Sequence, residues 1–99
     1  MSEENWGMAA PPFKADEALV QLKRALRDLG LSERNGGFEQ AGRRALEFDL
    51  GVGEIAIRLA RRLQIRTPDW DRLTLKSAAD QRKLLDEIKK RLARWRDDD

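Results

Sequence analysis

The chain has 99 residues, 38% of them charged and 40% hydrophobic, and its 20 Lys and Arg nearly balance its 18 Asp and Glu, leaving a net charge of +2. It contains no histidine, cysteine or tyrosine. With no side chain titrating near neutrality, no thiolate, no phenolic acid and no imidazole ligand, most acid–base, covalent and transition-metal chemistry is excluded.

The length suits one domain with one hydrophobic core. No apolar run approaches the roughly 20 residues that span a bilayer. Glu3 and Glu4 stand where a secretory signal would carry Lys or Arg, so the expected setting is the cytoplasm.

Residues 1–13 read as an extended arm, apolar and acidic, in which Trp6, Met8 and Phe13 follow no helical period and Pro11-Pro12 oppose helix formation. From Lys14 the period becomes helical, with Ala18, Leu19, Leu22, Ala25, Leu26 and Leu29 on one face. Asp16 and Glu17 suit the positive end of the helix dipole. Gly30 supplies a left-handed stop, and Leu31 is placed to fold back on the last turn.

Ser32-Glu33-Arg34-Asn35-Gly36-Gly37 reads as a loop. A second helix is predicted over residues 38–50, facing inward with Phe38, Ala41, Ala45, Leu46 and Leu50, and Gly51-Val52-Gly53 breaks it. A third is predicted over Glu54–Arg66, with Ile55, Ala56, Leu59, Ala60 and Leu63 inward. Thr67-Pro68-Asp69 starts a short helix holding Trp70 and Leu73. Ser77 and Asp80 resemble a capping box that opens the last helix, which runs to Arg96 with Ala78, Gln81, Leu85, Ile88, Leu92 and Trp95 in a seven-residue rhythm that Leu84 widens.

The expected fold is therefore all-α: a small irregular or orthogonal bundle of four main helices plus one short helix over residues 14–96. The extended N-terminal arm precedes it and the acidic tail of residues 97–99 follows.

Four constellations carry functional readings. Trp6, Met8 and Phe13 place apolar area in an arm that a disordered tail would lack, and Trp95 is a large ring near the chain end, so these four residues are the expected protein-contacting anchors. The seam of Leu85, Ile88, Leu92 and Trp95 offers a helical dimer face, though with barely three heptads. A helix-turn-helix-like unit over residues 55–75 would use Arg58, Arg61, Arg62, Arg66 and Arg72 on nucleic acid, against which Asp69 and Asp71 would face phosphates with the wrong sign. Residues 81–96 carry seven basic and two acidic side chains, a second stripe for phosphate contact.

Glu47, Asp49 and Glu54 flank a glycine turn with nothing to raise a carboxyl pKa, and no phosphate-binding loop is present. The leading expectation is a small, non-enzymatic, cytosolic module that binds a protein partner or itself, with no cofactor, no metal and no membrane contact. The alternative is a DNA-binding regulator or accessory factor.

Overall fold

The computed structural model describes residues 13–63 and 69–97. The element order is α1 (Ala15–Asp28), β1 (Ser32–Arg34), β2 (Gly37–Gln40), β3 (Arg43–Leu50), β4 (Ile55–Ala60), β5 (Trp70–Leu75) and α2 (Ala78–Asp97). All five strands form one antiparallel sheet in sequential order. The fold is α+β, and the all-α bundle expected from the helical spacing is incorrect.

The two helices form as the sequence predicts. α1 buries Ala15, Ala18, Leu22 and Leu26, spaced three and four residues apart on one face. At its end Gly30 takes φ of +94°, its N–H bonding the Arg27 carbonyl at 2.9 Å while the Leu31 N–H reaches back to Leu26 at 3.1 Å. That pattern satisfies the orphan carbonyls and turns Leu31 into the core. At the start of α2 the Ser77 hydroxyl accepts the Asp80 N–H at 3.1 Å, and the Asp80 carboxylate accepts the Lys76 N–H at 2.9 Å.

The correction falls on the middle of the chain. Residues 38–50, expected as one helix, divide into β2 and β3, and the third expected helix is β4. The short helix expected to hold Trp70 and Leu73 is strand β5, and the start signal at Thr67-Pro68 lies outside the described residues. Asn35-Gly36 is a hairpin turn rather than open loop, both residues having positive φ (46° and 76°) as a two-residue turn of matching twist demands.

Register decides which side chains are buried. Phe48 faces Ile57, Leu46 faces Leu59, and Ile55 faces Leu75, so these residues share the sheet face that α1 and α2 cover. Between the pairs Phe38–Leu46 and Glu39–Arg44 the register shifts by one residue, leaving Ala45 as the extra residue of a bulge. The shift resets the alternation and puts Arg44 beside Glu47, at 3.1 Å, on the uncovered face. That face continues with Arg58, bonded to Glu47 at 2.9 Å and Asp49 at 2.8 Å, and with Arg72 and Thr74. One face is thus an apolar layer under two helices, and the other a lattice of ion pairs.

Candidate protein interface

β5 is the last strand of the sheet, and six residues of it have no neighbouring strand on their outer side among the described residues. The Arg61 N–H donates to the Asp69 carbonyl at 2.9 Å, which fixes the phase of the ladder. Hydrogen-bonded and non-bonded pairs alternate along antiparallel strands, so Asp71, Leu73 and Leu75 turn their amides to β4. Trp70, Arg72 and Thr74 direct theirs outward.

Side chains alternate in the same rhythm. Arg72 and Thr74 stand on the uncovered face, while Asp71, Leu73 and Leu75 point to the helical side. There α2 leaves an open groove of about 500 Å³ beside β5, lined by Leu73, Leu75, Lys83, Leu84, Glu87 and Arg91 among others. Leu73 remains 39% exposed in it.

The far end of the groove is fixed by Arg91. Its Nη2 donates to Asp71 at 2.7 Å, its Nε to Glu87 at 2.8 Å and its Nη1 to the Ala60 carbonyl at 3.0 Å. Arg61 completes the network by bonding Asp71 at 2.7 Å and Asp69 at 3.2 Å. An acidic residue on the helical side of a strand is thereby matched at both carboxylate oxygens.

The opposite edge of the sheet is guarded differently. β1 has only three residues, and its Glu33 is held by Lys23 at 3.0 Å and Arg27 at 3.1 Å from α1. Short strands and charges discourage pairing there, whereas β5 is longer and presents regular backbone donors and acceptors next to an apolar side chain.

The anchors and cations predicted from sequence occupy varied positions. Trp6, Met8 and Arg66 lie outside the described residues. Phe13 packs, partly buried, on the core, and Trp95 is 5% exposed, its Nε1 donating to the Arg61 carbonyl at 3.2 Å. Of the stripe considered as a dimer seam, Ile88, Leu92 and Trp95 are buried against the core and Leu85 is partly buried on it. Arg58 and Arg61 are each paired with two carboxylates, and Arg62 and Arg72 are exposed.

Segment 55–75 contains two antiparallel strands, so the helix-turn-helix-like unit expected there is incorrect. Glu47 and Asp49 are joined through Arg58, while Glu54 sits beyond them before β4. The groove residues Leu73, Lys83, Glu87 and Arg91 escaped sequence reading as a set. The alternation of Arg72 and Thr74 with Leu73 and Leu75 could have marked a strand, but nothing local marked the groove itself.

Four carboxylates are held below their ordinary range. Lys23 and then Arg27 lower Glu33, and Arg61 and then Arg91 lower Asp71. Burial pushes Glu47 upward, but hydrogen bonds from Arg58 and Arg44 outweigh it, and Arg91 lowers Glu87. Each binds protons less readily when folded than when unfolded. Its contribution to stability is therefore complete above the ordinary carboxylate value and lost as pH falls through the folded one. With no histidine in the chain, the urea midpoint followed by circular dichroism is expected to stay flat from about pH 8 to 6 and fall from about pH 5 to 3. A midpoint that rises on acidification contradicts these pairings.

No protein-family model, no curated protein and no solved structure matches the chain. No helix among the described residues is long and apolar enough to cross a membrane.

Proposed function

We propose that this chain is a protein-interaction module that takes an extended polypeptide as an added strand on β5. The observation that carries the reading is the conjunction of an outward-facing row of backbone groups with a groove holding exposed Leu73. Strand addition draws affinity from main-chain hydrogen bonds and specificity from alternate side chains entering a pocket, and both provisions meet at this edge. The pairing of Arg58 and Arg61 with carboxylates favours a protein partner over nucleic acid, because phosphate binding needs cations free to release counterions. The setting we propose is the cytoplasm, where a cysteine-free chain needs no disulfide.

Panning a random peptide library displayed on phage against the purified chain tests this reading. Selected peptides are expected to shift the amide resonances of residues 70–75 and 83–91 and to lose binding when Thr74→Pro removes an outward N–H. Peptides that map to another surface, or a library that yields none against chain held monomeric by dilution, refute the reading.

A further inference from the structure

We propose, resting on the strand-binding reading of β5, that the strand it takes is β5 of a second copy, giving a symmetric dimer with one continuous sheet. Within β5, Trp70, Arg72 and Thr74 offer the outward backbone groups, so two copies related by a twofold axis pair members of this set. Pairing Arg72 with itself sets like charges side by side. Shifting to Arg72 opposite the second copy's Thr74 avoids that clash and lets each pair exchange hydrogen bonds. The axis then passes through Leu73, bringing the two half-exposed leucines together on the helical side.

The surface of α2 complements itself about the same axis. α2 runs antiparallel to β5, since it begins just after β5 ends and its Arg91 reaches back to Asp71. Long helical side chains lean toward the helix N-terminus, so the Arg91 guanidinium lies at the level of residues before it. Leu73 is about 6.6 Å further along the strand from Asp71, equivalent to about four helical residues, which sets its level between Lys83 and Glu87. A twofold axis there turns Lys83 of each copy toward Glu87 of the other. Lys83 is exposed and has no ion pair among the described residues, and Glu87 engages Arg91 through one oxygen only. An apolar centre flanked by opposite charges in reversed order is what an isologous contact requires.

Light scattering and sedimentation on the full chain test the inference. The wild type is expected to dimerise, doubling its 11.4 kDa mass, and Thr74→Pro to be monomeric with an unchanged far-ultraviolet spectrum, because that N–H does not serve β4. Lys83→Glu and Glu87→Lys are each expected to weaken the dimer about tenfold through like charges, and an equimolar mixture of the two to restore it. Recovery in the mixture reports cross-chain pairing, which a change of fold stability does not produce.

A wild type that stays monomeric at high micromolar concentration overturns the dimer, as does a folded Thr74→Pro chain that remains dimeric or a mixture that fails to recover. Monomeric wild type that still binds library peptides along β5 removes the self-pairing alone. A dimer insensitive to Thr74→Pro, with no peptide bound at β5, removes both readings.

Discussion

Phe38→Ala is expected to cost about 3–5 kcal/mol of folding stability, the usual range for deleting a buried phenyl ring. Phe38 is wholly buried, pairs with Leu46 across β2 and β3, and sets its ring 6.0 Å from that of Phe48 at 44°. The neighbouring Phe48 ring is capped by the Lys23 ammonium at 5.1 Å, so this aromatic pair ties α1 to the sheet. Because domains of this size are stable by only about 5–15 kcal/mol, the variant should sit near the edge of folding, with its melting temperature lowered by about 15 °C or more. Urea titration by circular dichroism gives the value. Leu50→Ala, at a residue 53% exposed, is the control and should change stability by under about 0.5 kcal/mol. Equal losses at the two positions would contradict the strand register.

Arg91→Ala is expected to cost about 2–3 kcal/mol, more than an exposed ion pair contributes. The Arg91 side chain is only 13% exposed and serves three acceptors, so its removal leaves the Ala60 carbonyl and Glu87 without that donor and Asp71 with Arg61 alone. Arg91→Lys retains the charge but loses the planar fork that reaches Asp71, Glu87 and the carbonyl together, and about half of the loss is expected to remain. Arg62→Ala, at an exposed position, should be near neutral. The measurement is the urea midpoint of each variant at neutral pH. A loss below about 0.5 kcal/mol for Arg91→Ala would show that the network is only a solvated surface contact.

The candidate interface depends on both sets of contacts without being visible in either. Phe38 and Phe48 hold β2 and β3 under α1, and β4 and β5 then extend the sheet outward to an edge with no further strand among the described residues. Arg91 sets the separation of α2 from that edge at one end of the groove. Leu73 could not be recognised as an exposed groove residue from its neighbours in sequence. Its exposure follows from the lateral position of α2, which its immediate sequence does not encode.

Particular segments show where local information sufficed. Ala15, Ala18, Leu22 and Leu26 leave one reading, since the polar residues between them fit only the outer face of a helix. Gly30 and the Ser77–Asp80 spacing mark a helix end and a helix start through bonds made within a few residues. The segments Leu46–Leu50 and Ile55–Ala60 admit two readings. Leu46, Phe48 and Leu50, like Ile55, Ile57 and Leu59, alternate with polar or small residues. Yet Ala45 with Leu46, and Ile55, Ala56, Leu59 and Ala60, also satisfy helical spacing in stretches rich in the helix formers Ala, Leu, Arg and Glu. The bulge at Ala45 further obscured the two-residue rhythm at Arg44.

The sequence by itself determined the terminal helices, the helix-ending glycine and the lack of histidine, cysteine and tyrosine chemistry, because these are set by residue type and by bonds between near neighbours. Tertiary structure decided the strands, the burial of Trp95 and the open edge of β5. A strand's hydrogen bonds are made to distant residues, so a weak local preference for helix yields once Glu47 meets Arg58, Phe48 meets Ile57 and two helices cover the resulting apolar face.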